Sequence, residues 1–417
     1  MKIGNRKIFY GWVVVFSAFL AMLTVSIPVY SFGVFINPLT KTFGWSRANI
    51  SGAMAIFQLL LGFIAVISGR LSDKYGVKRV MLLWLVVYSS SLILTSRISS
   101  LLTFYLCFAG LGIGASAFYA PLTSTISRWF AKRRGLAVGV AVTAFGVGMA
   151  VFSPLLEITI SKLGWRLAFF YSGMLSIVVL LLSTYLMKSP PEYVHSSGKK
   201  GDTVPDGEVE ESKPRDLTTS EAMHSPAYWI IYLMLLLAGI SGFFITVHIV
   251  PYAIDIGIPS FYAATLLTVI GLINIGGRIV GGIAADKLGS SKTLIALFSL
   301  QALVIFLLPH FTNLSALYLI VLFFGLAYGG WALIHALIPV EFFGTTYSGA
   351  ILGTFETVAG LGGALGPYFA GYVYDVTGGY DLAFTIGGGM TVISALLAIL
   401  LTIFFSKDRV NLPEWDL

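Results

Sequence analysis

Residues 69–81 read GRLSDKYGVKRVM, and residues 282–294 read GIAADKLGSSKTL. The two stretches share a glycine, an aspartate and a second glycine at a constant separation of 213 positions: Gly69 and Gly282, Asp73 and Asp286, Gly76 and Gly289. Arg79 and Lys292 are both basic at this separation, and Pro154 and Pro367 repeat it. Gly and Asp are common in turns, but a distant proline at the same separation makes coincidence a poor explanation. The sequence therefore predicts two structural repeats.

The composition of the entire chain is that of a membrane protein. The 417 residues are 57% hydrophobic and only 11% charged, with a mean hydropathy of +0.88. A soluble domain carries about a quarter charged residues, so much of this surface is expected to face lipid. Cys107 is the single cysteine, which excludes a disulfide framework and a cysteine-based zinc cluster.

Twelve apolar segments are long enough to cross a bilayer, for which a helix needs roughly 20 residues. They are residues 9–37, 50–67, 77–95, 99–126, 134–156 and 166–186, then 227–252, 261–285, 292–308, 314–339, 347–372 and 382–405. We therefore predict an all-α membrane protein of twelve transmembrane helices in two six-helix bundles, residues 1–188 and 227–417. Residues 189–226 are rich in Ser, Gly, Pro and charged side chains, which is typical of a flexible linker.

The distribution of positive charge predicts the orientation. Of the 26 Lys and Arg residues, 20 lie in one set of loops, together with the termini and the linker. The opposite loops contain only Lys41, Arg47, Arg97, Lys162 and Arg166. By the positive-inside rule, both termini and the linker are expected to be cytoplasmic. This pattern also explains the formal net charge of +7 without nucleic-acid binding.

Two motifs resemble known transporter signatures. The run GRLSDKYGVKR at residues 69–79 resembles the signature loop of the major facilitator superfamily. The run WFAKRRGLAVGVAVTAFG at residues 129–146 resembles the second signature of the monocarboxylate transporters, and the oxalate/formate antiporters share much of it. Their first signature survives in part as Tyr10, Gly11 and Trp12. The resemblance implies that these motifs hold cytoplasmic loops and gates without touching substrate; their residues include Gly69, Asp73, Gly76, Arg79, Asp286, Arg133 and Arg134.

Arg278 is a charged residue near the middle of the eighth segment. A central arginine costs about 2.5–3.5 kcal/mol on insertion scales, so it needs polar surroundings. An ion pair with another helix, such as one with Glu356, or snorkelling to the interface would supply a structural role. Because the guanidinium offers paired donors that match a carboxylate, we instead predict that a substrate anion binds Arg278.

The resemblance to monocarboxylate transporters includes this position but departs beside it. Arg278 matches an arginine of the family's eighth span, whereas Asn274 stands where the family has an aspartate one turn earlier. Tyr30 stands where mammalian members have a functional lysine. Both departures remove charged groups, so the family's proton relay is not transferable unchanged.

Further polar and aromatic residues within the segments are candidates for the site. Tyr119 and Tyr328 are predicted to reach a central cavity, and Tyr328 with Trp331 is a candidate gate, although core packing explains such aromatics equally well. His248 is a candidate proton carrier because histidine titrates near neutrality. The resemblance adds Phe355 and Glu356, which flank the position where oxalate antiporters carry a second cation, and Glu356 is a second candidate proton carrier.

The sequence thus favours a secondary transporter that moves small monocarboxylates, such as lactate or pyruvate, together with protons. One central cation fits one carboxylate, while an organic-anion antiporter of the oxalate/formate type is the alternative. A transporter-like receptor is a third reading. No nucleotide loop, metal-ligand spacing or nucleophile–base set supports an enzyme, and no cofactor or metal is expected. The expected partners are the monocarboxylate anion, the proton and the lipid bilayer, with a monomeric chain.

Overall fold

The computed structural model describes residues 2–3, 6–7, 9–130, 134–189, 217–344 and 348–405. Arg133 and residues 190–216 of the predicted linker lie outside the described residues. A hairpin of two-residue strands, β1 (Lys2–Ile3) and β2 (Arg6–Lys7), precedes the helices. Everything else of regular structure in the described residues is helical.

The helices form two groups separated by the linker. The first half contains α1 (Tyr10–Tyr30), α2 (Gly33–Phe43), α3 (Arg47–Tyr75), α4 (Val77–Thr95), α5 (Leu101–Ala115), α6 (Ala120–Trp129), α7 (Arg134–Leu163) and α8 (Trp165–Leu186). The second contains α9 (Thr219–His224), α10 (Pro226–Asp255), α11 (Ser260–Leu288), α12 (Ser290–Leu307), α13 (Leu314–Phe343), α14 (Ser348–Thr377) and α15 (Asp381–Phe404), with a 3-10 turn at Leu308–His310.

Within the described residues, eleven helical segments are long and apolar enough to cross a membrane, with α5 and α6 together forming one of them. The remaining predicted span, residues 347–372, is the 30-residue helix α14, which contains Glu356 and Asp375. The predicted all-α membrane fold is confirmed. The long helices extend beyond several predicted spans: α3 continues through Gly69 and Asp73 and ends at Tyr75.

Backbone conformation repeats between the two halves. Gly76 after α3 has φ +86°, and Gly289 after α11 has φ +84°. Gly44 and Gly257 are a second pair with positive φ at the same separation of 213 positions. L-residues avoid this region of backbone space, so a glycine at each corner allows a sharp reversal between consecutive helices.

Prolines inside helices free carbonyl groups for contacts between helices. Pro154 in α7 has no N–H to bond the carbonyl of Ala150, and that oxygen instead accepts the hydroxyl of Thr268 from α11 at 2.8 Å. Pro28 in α1 likewise leaves the Thr24 carbonyl, which accepts the Tyr88 hydroxyl at 3.0 Å. A polar backbone group within the membrane must find an internal partner, so these bonds fix where the helices cross.

The described end of the predicted linker contains regular structure. Thr218 and Glu221 form a capping box at the start of α9, with side chains bonded to each other's backbone N–H groups. The preceding Leu217 N–H bonds the carbonyl of Phe343 at the end of α13 at 3.0 Å. A Thr-x-x-Glu pattern stabilises a helix start, and this pattern orders the end of the segment against the second half.

The corner glycines provide a test of the repeat. We expect Gly76→Ala and Gly289→Ala each to lower the melting temperature in detergent, because an L-residue held in this backbone region costs about 1–3 kcal/mol. Gly62→Ala is the control, since a Cβ there would meet no atom within 4 Å and the residue is helical. An equal loss of stability in all three variants would show that the corners carry no special strain.

Candidate functional site

The Arg278 side chain lies half-buried on α11 with an amide partner and no acidic one. Its Nε donates to Oδ1 of Asn274, one turn earlier, at 3.2 Å. Among the described residues, neither of the two ion pairs involves Arg278, so the Glu356 pairing considered from sequence does not form in this structure. The guanidinium therefore keeps donors available for an anion.

Three tyrosines from both halves lie near this guanidinium. Tyr30 at the end of α1, Tyr119 before α6 and Tyr328 on α13 all lie within electrostatic range of Arg278. Tyr30 and Tyr328 also lie close to each other across the two halves. Arg278, Asn274 and the three tyrosines, five of the residues predicted from sequence, thus lie together in one cluster.

Phe145 on α7 belongs to the same cluster and was not predicted. Its ring centroid lies 6.1 Å from that of Tyr30 and 5.9 Å from that of Tyr119. A phenylalanine in an apolar helix gives no sequence signal that separates a cavity wall from core packing. The ring gives the site an apolar wall next to its single cation.

A buried polar network supports Tyr328 from behind. Gln301 on α12 is fully buried; its amide nitrogen donates to the Ala238 carbonyl, and its oxygen accepts the indole N–H of Trp331 at 2.7 Å. The Trp331 ring meets Tyr328 edge-on at 5.4 Å. Gly242 leaves room for Tyr328, because a Cβ there would lie 2.7 Å from its ring. Gln301 therefore positions Trp331, and Trp331 positions Tyr328.

A second polar cluster joins the halves at the membrane face opposite the cation-rich loops, which we call the Arg47 end. Nη2 of Arg47 pairs with Asp255 of α10 at 2.7 Å, and the guanidinium lies 3.8 Å from the ring centroid of Tyr374. Asp375 of α14 accepts the backbone N–H groups of Arg47 and Ala48 at 2.9 and 2.8 Å. A carboxylate from one half thus caps α3 of the other, where the helix dipole favours negative charge.

His248 belongs to this second cluster. It is fully buried; its Nδ1 lies 2.8 Å from the Tyr380 hydroxyl and its Nε2 lies 3.2 Å from the Ser51 hydroxyl. No contact among the described residues links His248 to Arg278. The role of His248 in proton coupling therefore stays a prediction.

The two remaining candidates on α14 occupy different environments. Phe355 is fully buried and packs on Tyr228 at 4.9 Å between ring centroids, while its carbonyl lies 3.1 Å from Nε2 of His335. Glu356 is exposed and lies within electrostatic range of Tyr119. Phe355 is thus part of the α10–α14 packing, and Glu356 borders the tyrosine cluster.

The signature motifs lie at the end of the molecule that carries the cation-rich loops, as expected. Asp73 pairs with Arg128 at 3.5 Å on an exposed surface. Trp12 of the first partial signature meets Phe130 of the second at 5.2 Å, and the Trp129 indole donates to the Lys188 carbonyl. The two signatures therefore pack against each other, joining the ends of α1, α6 and α8. The side chain of Arg134 lies outside the described residues.

Hydrogen bonds that join described residues of the two halves lie towards the Arg47 end. They include the Thr268–Ala150 and Ser51–His248 bonds and the contacts of Arg47. Gly33 adds close backbone packing there, because a Cβ would collide with the carbonyl of Val247. The structure is thus closed at the Arg47 end.

Comparisons with known proteins agree with this architecture. The family model described as Major Facilitator Superfamily matches residues 14–367 and 282–414. A structure titled as a bacterial homologue of the human lysosomal transporter Spinster, inward-facing and occupied, has a TM-score of 0.78 and 16% identity, covering 99% of this chain and 100% of that one. This likeness concerns the fold alone.

Two curated relatives align along nearly the whole chain. The oxalate:formate antiporter of Oxalobacter formigenes is 25% identical over 96% of this chain and 92% of its own length. Monocarboxylate transporter 13 of Rattus norvegicus is 28% identical over 95% of this chain and 90% of its own. Both relatives are transporters, which confirms the expectation of a transporter rather than an enzyme.

Gln301→Leu tests the support of Tyr328. The variant leaves the Trp331 N–H unpaired, which costs about 1–3 kcal/mol when a buried group loses its partner. If Tyr328 shifts as a result, binding of lactate, one of the monocarboxylates expected from the sequence, should weaken roughly tenfold, the equivalent of about 1.4 kcal/mol, with a changed Trp fluorescence response. The control is Ser394→Ala, whose hydroxyl bonds only within its own helix. Unchanged affinity in Gln301→Leu, with folded protein, would contradict the positioning role.

Proposed function

The chain belongs to the Major Facilitator Superfamily, and we propose that it is a secondary transporter that moves small monocarboxylates together with protons by alternating access. At the coarser level, it is a multi-pass membrane transporter related to monocarboxylate transporters and to an oxalate:formate antiporter. Beyond this level, we propose the class of substrate, the coupling ion and the direction of transport.

The observation that carries the proposal is the half-buried Arg278 with no carboxylate partner among the described residues. An uncompensated cation within the membrane is costly, and a substrate carboxylate would complete it with paired hydrogen bonds. Asn274 already holds Nε, which orients the rest of the guanidinium for that carboxylate. The hydroxyls of Tyr30 and Tyr328 supply further polar contacts beside it.

The charge count favours a substrate with one carboxylate. Arg278 is the cation within electrostatic range of Tyr30, Tyr119 and Tyr328, and Phe145 makes the adjoining wall apolar. A dianion such as oxalate would leave its second carboxylate without a cation. The small apolar remainder of lactate or pyruvate suits a wall of aromatic rings.

Proton coupling follows from the energetics of moving an anion. A carboxylic acid with a pKa near that of Asp, about 3.9, is ionised at neutral pH. Carrying it alone against an interior-negative membrane costs about 2.3 kcal/mol per 100 mV. One proton carried with each anion removes this cost. By the positive-inside rule, the cation-rich end faces the cytoplasm. His248 and Glu356 are the candidate proton carriers: Glu356 borders the tyrosine cluster, and His248 lies in the cluster that closes the opposite end.

Anion exchange of the oxalate/formate type is the second candidate function. It is favoured by the similarity to the antiporter along nearly the whole chain and by Asn274, which removes a titratable group from beside Arg278. Exchange needs no proton carrier at the site, because one anion replaces another.

Substitution of Arg278 tests the proposed binding role. Arg278→Ala should abolish saturable lactate binding, and Arg278→Lys should weaken it strongly, because an ammonium lacks the planar fork that binds both carboxylate oxygens. Arg97→Ala, at an exposed arginine of the Arg47 end, is the matched control and should bind normally. Normal binding by Arg278→Ala would make this arginine structural.

Substrate competition separates the two transport functions. In proteoliposome counterflow, unlabelled pyruvate should displace labelled lactate efficiently, while oxalate and malate should compete poorly for a site with one cation. Oxalate that outcompetes lactate would assign the chain to the antiporter function and require a second cation at the site. Purified wild-type protein and empty liposomes complete the comparison.

A further inference from the structure

The Arg47 end contains a chain of hydrogen bonds with a fixed direction. The carbonyl of Pro367 only accepts, so Nε2 of His248, 2.8 Å away, carries a proton and donates to it. Nδ1 is then an acceptor, and the Tyr380 hydroxyl donates to it at 2.8 Å. The Tyr380 oxygen in turn accepts from Nη1 of Arg47 at 2.6 Å. With a neutral His248, every donor of this chain therefore has an acceptor.

A second proton on His248 would disturb the link between Nδ1 and Tyr380, while Nε2 would still donate to the Pro367 carbonyl. Nδ1 would become a donor, and the Tyr380 O–H would lose its acceptor. An imidazolium would also be fully buried, with only the Tyr380 hydroxyl between it and the Arg47 guanidinium. Burial penalises a charge that has no ionic partner. Burial raises the pKa of the Tyr380 hydroxyl, although Arg47 beside it opposes this, so the hydroxyl keeps its own proton.

The two carboxylates of this cluster do not compensate for such a charge, because each has another partner. Asp255 pairs with Arg47, and Asp375 caps α3. The titratable and charged groups in this cluster or within electrostatic range of it are Arg47 of α3, Tyr252 and Asp255 of α10, Tyr374 and Asp375 of α14, Tyr380 before α15, and Asp381 of α15. The exposed Lys41 of α2 and Arg97 after α4 also lie at this end. None of the carboxylates bonds the imidazole among the described residues.

We propose that the Arg47 end is a latch between the two halves that opens when His248 takes up a proton. The latch consists of Arg47, Asp255, Asp375, Tyr380 and His248. It rests on the alternating access proposed above, but not on the identity of the substrate. Neutral His248 holds the end closed, and opening exposes the imidazole to water, where histidine titrates between pH 5 and 8.

The latch sets the sign of the pH dependence. The open form binds one proton more than the closed form, so lower pH favours opening, by up to tenfold per pH unit within the titration range. Acid on the side that the Arg47 end faces would then favour the form open to that side. Because closure requires a neutral His248, a proton that crosses with the anion must be held by another group, and Glu356 is the other candidate.

Distance measurement between the halves tests the latch without any substrate. Spin labels at Lys41→Cys on α2 and Val376→Cys on α14, both exposed at this end, are introduced with Cys107→Ser, which removes the single native cysteine. The full chain in nanodiscs is measured by pulsed electron resonance from pH 8 to pH 5.5. The fraction with the longer distance should rise as the pH falls.

Variants of the latch give opposite expected results. His248→Gln retains a donor and an acceptor but does not titrate, so it should stay closed at every pH. Arg47→Ala should be open at every pH. If His248→Gln proves unstable, Tyr380→Phe takes its place in the test. It keeps the ring but breaks the chain of hydrogen bonds, so it should lose most of the pH response.

Three results would overturn the latch. They are a wild-type distance that does not change with pH while Arg47→Ala opens, a full pH response in His248→Gln, or an Arg47→Ala variant that stays closed. Because no monocarboxylate is present in the experiment, each result leaves the monocarboxylate proposal untouched. Failure of lactate binding would in turn leave the latch untouched.

Discussion

The fold is organised around one cation held within the membrane without an ionic partner in the part of the chain that the structure describes. Arg278 is kept at half-burial by an amide, three tyrosines and close helix packing, and not by a carboxylate. The α11–α13 crossing allows this, since a Cβ on Gly281 would lie 2.6 Å from the Cα of Gly330. The two backbones can therefore come close enough to enclose the site without a large side chain between them.

The second constraint is the closure of the Arg47 end, which uses paired charges where the centre does not. Asp255 neutralises the Arg47 side chain, and Asp375 caps the helix that begins at Arg47. Buried pairs lose much of their attraction to desolvation, so their value here lies in fixing how the halves meet. Arg278 thus has donors available for a ligand, whereas Arg47 joins the two halves.

Much of the fold followed from local sequence features because membrane crossing imposes length and polarity. The repeated GRLSDKYG and GIAADKLG stretches gave the two halves, and Gly76 and Gly289 adopt the same backbone conformation. The broken first span was not foreseen, since the end of α1 at Tyr30 depends on contacts such as that between Ser31 and Ser153. The order of Thr218 and Glu221 was missed within a polar segment whose composition indicated a linker.

The site was predictable where a residue is unusual for its surroundings. Arg278 stood out because charge within a membrane is costly. Tyr119 and Tyr328 followed from their position in the spans, and Tyr30 from the resemblance to monocarboxylate transporters. Phe145 and Gln301 carry no such signal, because their roles depend on which helix faces them. Arg47 was assigned to a loop, since no local pattern shows that helices 200 or more residues away supply Asp255 and Asp375.

An experimental map of the protein with lactate bound tests the central claim most directly. The account predicts one carboxylate within hydrogen-bonding distance of the Arg278 guanidinium, with the rest of the ligand against Phe145 and the hydroxyls of Tyr30 and Tyr328 nearby. A ligand bound elsewhere, with Arg278 paired to a protein carboxylate such as Glu356, would contradict it.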